Sequence, residues 1–251
     1  MDCPQQIPDE NAAYLKHLNN KMVANRIPVS GSIDLTKQCN FRCIHCYLPP
    51  GSDSSPPELS TSQWKAVIDQ ITEAGCLFLL ITGGEPLFRS DFPEIYSYAV
   101  QKGLLVTVFS NGALVSDRII DCFRELPPYV VEITLYGATP ETYEHITGHR
   151  SHYAKTLAGI DKLYAKHVPF KLKTMLMAPN IHEFENIRAI AGAYNTAFRF
   201  DAALFGRLNG DRKPMAHRVD PKTAVAMEMA DPGIEAEWRD FHHRMKDMPV
   251  Q

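Results

Sequence analysis

The sequence predicts an α/β fold in which parallel strands alternate with helices that lie outside the sheet. Short apolar runs alternate with helical patterns between residues 32 and 203, six of these runs look like strands, and capping residues precede most helical patterns. Such alternation is typical of a parallel sheet with right-handed crossovers. Six units are fewer than the eight that close a TIM barrel, so we expect a partial, open (β/α)6 TIM-like barrel.

The strands are predicted from runs of apolar residues. Residues 32–36 form a short strand that leads directly into a loop rich in cysteine. Residues 77–82 are continuously apolar, which is typical of a strand buried on both faces. The other strands are predicted over residues 104–109, 129–135, 170–177 and 197–203.

The helices are predicted from their starts, where a Ser, Thr or Asp can cap the first turn. At one start, Thr139 is followed by Pro140, and proline favours the first helical position. The first predicted helix runs from Ser60 or Thr61 to about 73, the second from Asp91 to about 103, and the third from Ser116 to about 126. Two further helical stretches follow Thr139 and end near 167, and the last predicted helix spans 182–194.

The chain divides into three segments by composition. Residues 1–28 are a polar lead-in, in which residues 11–24 can form a helix. Residues 29–210 form the predicted barrel. Residues 211–251 form a helical tail with short helices over 221–229 and 234–245, and this tail can be part of a truncated extension.

The composition is that of an ordinary globular protein. The chain has 251 residues, of which 45% are hydrophobic and 22% charged, and its net charge is −3. It has no sustained basic run, no apolar stretch of membrane-spanning length and no hydrophobic signal at its start. We therefore expect a cytoplasmic protein with reduced thiols and with neither nucleic acid nor a membrane as a partner.

Three cysteines lie within one short loop. Cys39, Cys43 and Cys46 have the spacing C-x3-C-x2-C. An iron–sulfur cube normally takes four thiolates, so three would leave one iron open to a substrate. A structural zinc site that adds His45 is the alternative, because three sulfurs and one nitrogen form a tetrahedral set. The cysteines alone leave both interpretations open.

Unusual residues also follow the next three strands. In parallel α/β folds, ligands bind beyond the carboxyl ends of the strands. The glycine backbone and the Glu85 carboxylate suit a ligand ammonium, whereas hydroxyl and amide side chains suit ligand hydroxyls or a carboxylate. Each motif alone could be an ordinary turn. The residues are Gly83, Gly84, Glu85, Pro86, Ser110, Asn111 and Thr134.

Together these motifs resemble those of the radical S-adenosylmethionine (SAM) enzymes. The three cysteines and the 83–86 motif carry the resemblance, which extends over roughly residues 32–210. The motifs at 135–139 and 146–148 are similar to those of peptide- and protein-modifying maturases, which usually carry a C-terminal SPASM or twitch domain with an auxiliary cluster. This sequence departs from that branch, because no cysteine follows Cys122.

The resemblance implies a 4Fe-4S cluster held by the three cysteines, with SAM bound at its open iron. It places His45 and Met177 near the adenine of SAM. It also implies the other contacts with SAM: Gly83, Gly84, Glu85 and Pro86 at its ammonium, and Ser110, Asn111 and Thr134 near its ribose or carboxylate.

The function implied by the resemblance is reductive cleavage of SAM to a 5′-deoxyadenosyl radical, which takes hydrogen from a peptide or protein substrate. A reduced flavodoxin or ferredoxin is the implied electron donor. Three alternatives stay open: the same chemistry on a small metabolite or cofactor precursor, a zinc-stabilised binding module without catalysis, and an inactive remnant of such an enzyme.

Overall fold

A computed structural model describes residues 16, 19–50 and 57–246. Within this part of the chain, six strands form one parallel sheet in the order in which they occur in the sequence. The strands are Ser30–Asp34 (β1), Phe78–Thr82 (β2), Leu105–Ser110 (β3), Val130–Thr134 (β4), Phe170–Met175 (β5) and Phe198–Asp201 (β6).

Eight of the described helices, named here, follow the strands as the alternating pattern predicts. Short 3-10 turns at Pro86–Phe88, Ile181–Glu183 and Lys213–His217 lie between them. The helices are Thr61–Glu73 (α1), Phe92–Gln101 (α2), Asp117–Glu125 (α3), Pro140–Thr147 (α4), Ser151–Ala165 (α5), Phe184–Ala193 (α6), Pro221–Met229 (α7) and Pro232–Lys246 (α8). The predicted partial barrel is confirmed, and in the described residues it is open because β1 and β6 are the two edges of the sheet.

The core lies between the sheet and the helices. Alternate strand residues such as Val108, Ile133 and Leu172 are fully buried against the helical layer, together with Phe92 and Tyr96 of α2. The residues between them face the concave side of the sheet and are only half buried. Because side chains alternate along a strand, one face of the sheet stabilises the fold and the other is available for a site.

Most predicted caps are confirmed, but one is wrong. Ser60 accepts from Gln63 N in a capping box, Ser116 accepts from Ile119 N, and Thr139 accepts from Thr142 N. The side chain of Asp91 does not cap α2. Its carboxylate instead accepts from Arg89 at 2.7 and 2.8 Å and from Thr61 Oγ1 at 2.6 Å. These charged bonds compete with the cap and hold the pKa of Asp91 at about 2.

The predicted boundaries differ from the structure in places. The first strand begins and ends two residues earlier than predicted, and β5 ends at Met175 rather than at 177. Residues 19–24 of the predicted helix 11–24 are helical, whereas 11–15, 17 and 18 lie outside the described residues. None of the helices in the described part of the chain is long and apolar enough to cross a membrane.

Candidate active site at the carboxyl end of the sheet

A cavity of about 460 Å³ opens at the carboxyl ends of the strands, a volume typical of ligand sites. Cys39, Cys43 and Cys46 all line it, although the loop that carries them follows only β1. Most of the residues predicted at the other strand ends line the same cavity. These are Gly83, Gly84, Ser110, Asn111 and Thr134, and His45 of the cysteine loop lines the cavity as well.

The first half of the cysteine loop is held by the residues that follow β2. Gly84 N donates to Thr36 O at 2.7 Å, and Glu85 N donates to Gln38 O at 2.8 Å. These bonds extend the pairing of β1 with β2 beyond the last ladder residues. The 83–86 motif therefore positions the loop that carries the cysteines.

This pairing explains the two glycines. A Cβ at Gly84 would lie 2.2 Å from Gln38 O, and one at Gly83 would lie 2.4 Å from Thr36 O. Gly83 also has a φ of +131°, a conformation that other residues rarely adopt. The structure thus shows a close approach between two backbone segments. Both glycines also line the cavity, so their predicted contact with a ligand ammonium stays a prediction.

The second half of the cysteine loop is held by the end of α4. Arg42 N donates to Thr147 O and Ile44 N donates to Ile146 O, both at 3.0 Å. The Phe41 ring stacks on His152 at 3.9 Å, and His152 Nδ1 lies 2.9 Å from Thr147 Oγ1. The 146–148 motif therefore supports the cysteine loop in addition to the residues that follow β2.

Glu85 is fully buried and faces protein groups. Its carboxylate accepts from Ser110 Oγ at 2.8 Å, Asn111 N at 2.7 Å and Leu87 N at 3.1 Å. Glu85 and Pro86 do not belong to the described lining of the cavity. These three donors tie the ends of β2 and β3 together, so the predicted contact between Glu85 and a ligand ammonium stays a prediction.

The pKa of Glu85 leads to a prediction about stability. Burial raises this pKa from 4.5 to about 7, although the three donors oppose the rise. Between these pH values the unfolded chain has released the proton while the folded chain keeps it, so rising pH favours unfolding, by at most about 1.4 kcal/mol per pH unit. We expect wild type to lose stability relative to Glu85→Gln across this window.

Urea denaturation of the metal-free chain at several pH values measures this difference, because glutamine cannot titrate. A difference in the free energy of unfolding that stays constant from pH 4.5 to 7 would show that Glu85 remains ionised in the folded protein.

Ser110, Asn111 and Thr134 line the cavity, but two of them are already engaged. Ser110 Oγ donates to Glu85 and accepts from Gly112 N at 3.0 Å. Asn111 Nδ2 donates to Asn40 Oδ1 at 2.8 Å, within the cysteine loop, and lies 3.9 Å from Cys39 Sγ. Thr134 is buried at the end of β4. Their contacts with SAM stay predictions.

The two residues predicted near adenine lie in different places. His45 lines the cavity beside the Tyr136 ring, at 5.3 Å, and its buried Nδ1 has no hydrogen-bond partner among the described residues. Burial lowers the pKa of His45 to about 4, with a smaller effect from His217. Met177 instead packs in a buried cluster with Ile146 and Leu204 and does not itself belong to the described lining, so its contact with adenine stays a prediction.

Met175 lines the cavity where Met177 does not. The reason is that β5 ends at Met175, and the chain turns so that Met177 N donates to Asn180 Oδ1 at 2.8 Å. Residues beyond the strand no longer follow its alternation. Sequence reasoning also missed other lining residues, which include Phe109, Lys173, Leu204, Phe205 and Arg207.

The thiols fit an iron–sulfur cluster by their chemistry. Cluster iron binds thiolates, and three cysteines share one cavity. Burial raises the pKa of the Cys39 thiol to about 11 and raises those of Cys43 and Cys46, so cluster binding has to displace protons. In the described residues, no three His, Cys, Asp or Glu side chains converge closely enough for a single metal ion. This finding covers the three thiols by themselves as well as the set that adds His45, so the zinc alternative stays open.

The lining of the cavity is basic. Four cations, Lys37, Arg42, Lys173 and Arg207, line it, and the described lining contains no Asp or Glu. Arg207 and Arg42 both lower the pKa of the Cys46 thiol, opposing the effect of burial. The cavity therefore favours negatively charged groups, which include thiolates and carboxylates.

The sequence of the chain is similar to a known protein family and to several characterised proteins. The sequence profile of the Radical SAM superfamily matches residues 33–190. The chain is 33% identical over 150 residues to an AdoMet-dependent heme synthase of Methanosarcina barkeri, covering 60% of this chain and 43% of that protein. It is 26% identical over 164 residues to the PqqA peptide cyclase of Xanthomonas campestris pv. campestris, covering 65% and 44%. The chain thus spans less than half the length of either relative.

The fold resembles that of SuiB from Streptococcus suis. The structure of SuiB bound to its precursor peptide SuiA gives a TM-score of 0.63 at 13% identity, over 80% of this chain and 46% of that chain. SuiB has also been solved bound to S-adenosylmethionine, again with a TM-score of 0.63. At this identity, the similarity supports the fold alone.

Proposed function

The chain belongs to the Radical SAM superfamily, and we propose from this premise that it cleaves SAM reductively and uses the resulting radical to take hydrogen from a substrate. The cofactors of the family are a 4Fe-4S cluster and SAM. The observation that carries the proposal is that Cys39, Cys43 and Cys46 all line one cavity.

The residues of this chain would hold the cofactors and orient them. The three cysteines would bind three irons, and the cavity beside them would receive SAM at the fourth. When bound, the cluster supplies one electron that splits SAM into methionine and a 5′-deoxyadenosyl radical. Asn111 Nδ2 lies 3.9 Å from Cys39 Sγ, where a weak hydrogen bond would stabilise negative charge on that sulfur.

The substrate is proposed to be a peptide or protein side chain, as in a maturase. The support for this is the PqqA peptide cyclase among the sequence relatives and the peptide-bound SuiB among the folds. A small metabolite or cofactor precursor is the second candidate, because the relatives include a heme synthase. A reduced flavodoxin or ferredoxin remains the predicted electron donor.

Anaerobic reconstitution tests the proposal. We expect the wild-type chain to bind iron and sulfide, turn brown, and convert SAM to methionine and 5′-deoxyadenosine when dithionite is added. Chromatography measures both products, and a sample without dithionite is the control. A colourless protein that retains one zinc ion, or a brown protein that never cleaves SAM, contradicts the proposal.

A further inference from the structure

A row of three charged side chains and one aromatic ring crosses four neighbouring strands, and its members range from the buried Lys173 to the half-exposed Arg199 on the edge strand. Phe109, Glu132, Lys173 and Arg199 lie on four consecutive strands, β3 to β6. Lys173 and Phe109 line the cavity. Closed barrels fill this position with branched apolar side chains, so a charged row here calls for a functional explanation.

One carboxylate is shared by two cations in this row. Arg199 Nη2 and Nε lie 2.7 and 3.2 Å from Glu132 Oε2, whereas Lys173 Nζ lies 3.4 Å from the same oxygen. The side chains of Lys173 and Glu132 are only 12% and 14% exposed. Arg199 therefore makes the shorter, charge-assisted contacts, and Lys173 keeps much of its capacity to bind an anion.

The ammonium of Lys173 lies against an aromatic face. Its Nζ is 2.8 Å from the centroid of the Phe109 ring, a cation–π contact that fixes the side chain inside the cavity. Burial lowers the pKa of Lys173 to about 7, and Arg199 contributes to the lowering, while Glu132 and Asp201 oppose it. An arriving carboxylate would favour the charged amine.

This cation is distinct from those beside the thiols. Arg42 and Arg207 are the cations whose charge acts on Cys46, which follows β1 at one edge of the sheet. Lys173 lies on β5, paired with Thr134 and Arg199, and two residues below the end of its strand. It therefore lies deeper in the barrel than the rim, where a substrate rather than the cluster would reach it.

We propose that Lys173, positioned by Phe109 and by the Glu132–Arg199 pair, binds a carboxylate group of the substrate. This inference rests on the proposed function, since it names the substrate class of the same site. The carboxylate belongs either to an acidic peptide or to a small organic acid. The basic lining, which contains no acid among its described residues, matches either source.

Calorimetric titration of the cluster-loaded chain under anaerobic conditions tests the proposal with two pairs of probes. One pair is 3-phenylpropionate and its neutral amide, chosen because the ammonium lies against an aromatic ring. The other is an acetylated, amidated Gly-Glu-Gly peptide and its Gln counterpart. We expect each acid to bind roughly tenfold or more tightly than its amide, the usual range for a charged hydrogen bond.

Three variants separate the role of Lys173 from general charge. Lys173→Met should remove the preference for the acid, whereas Lys173→Arg should keep it. Lys171→Met removes an exposed charge two residues earlier on the same strand and should leave the preference unchanged. Circular dichroism verifies that each variant is folded. Tighter binding of 3-phenylpropionate indicates a small organic acid as the source of the carboxylate, whereas tighter binding of the Glu peptide indicates an acidic peptide.

The outcomes separate this inference from the proposed function. Equal binding of acid and amide to wild type, no binding of any probe, or a preference that survives Lys173→Met overturns the carboxylate site. Loss of the preference for the acid in Lys171→Met also overturns the carboxylate site, because the net positive charge of the region rather than Lys173 itself would then cause the preference. A wild-type chain that prefers the acids but never cleaves SAM supports the carboxylate site and contradicts the proposed function.

Discussion

Replacing Cys43 with alanine is expected to abolish both cluster assembly and SAM cleavage. Cys43 lies between the other two thiols in sequence and lines the same cavity, so its loss leaves two thiolates for a cluster that needs three. Cys39→Ala and Cys46→Ala should behave in the same way. Iron and sulfide content, visible absorption and 5′-deoxyadenosine formation measure the result.

Cys122→Ala is the matched control for the cysteine variants. Cys122 lies on α3, where its sulfur contacts Ser97 Oγ at 3.6 Å, and it takes no part in the cavity. This variant should keep the iron content and SAM cleavage of wild type. If Cys43→Ala still produces 5′-deoxyadenosine at the wild-type rate, the assignment of the cluster ligands is wrong.

Gly84→Ala is expected to have a comparable effect without removing a ligand. A Cβ at this position would lie 2.2 Å from Gln38 O and 2.8 Å from Gln38 C, both backbone atoms of the cysteine loop. The loop has to move away, which breaks the bonds that Gly84 N and Glu85 N make to it. We expect a loss of about 3 kcal/mol in the free energy of unfolding, near the upper end for overpacking, and a lower iron content.

Gly192→Ala provides the comparison for this glycine. Gly192 lies in the last turn of α6, and an added Cβ there would meet nothing within 4 Å. Since alanine favours a helix over glycine, this variant should be as stable as wild type or more stable by up to about 1 kcal/mol. Urea denaturation measures the free energy of unfolding of both variants, and iron analysis measures their iron content after reconstitution. Wild-type stability and iron content in Gly84→Ala would show that the cysteine loop tolerates displacement.

Much of this fold was predictable because its local signals are consistent with one another. Ser60, Ser116 and Thr139 cap the helices that they were expected to cap. Continuous apolar runs identified strands that are buried by helices. Asp91 was misjudged because a neighbouring arginine, Arg89, competes for its carboxylate, and a helix cap predicted from one residue does not account for such a partner.

The site was only partly predictable, because the sequence does not show which way a side chain faces. The cysteines and the strand-end glycines could be found from spacing alone. Glu85 lies at the right strand end, yet its carboxylate faces the sheet and accepts three bonds from the protein. Lys173 was missed, although a lysine between buried Leu172 and Thr174 is a usable signal, because alternation places it on the opposite face.

The contacts between the cysteine loop and the end of α4 have a consequence for biosynthesis. The amides of Arg42 and Ile44 bind carbonyls of residues 147 and 146, which the ribosome adds long after the cysteines. Until then, the three thiols belong to a segment without its second support. We therefore expect a nascent chain that still lacks residues 146 and 147 to be a poorer acceptor for iron and sulfide than the finished chain.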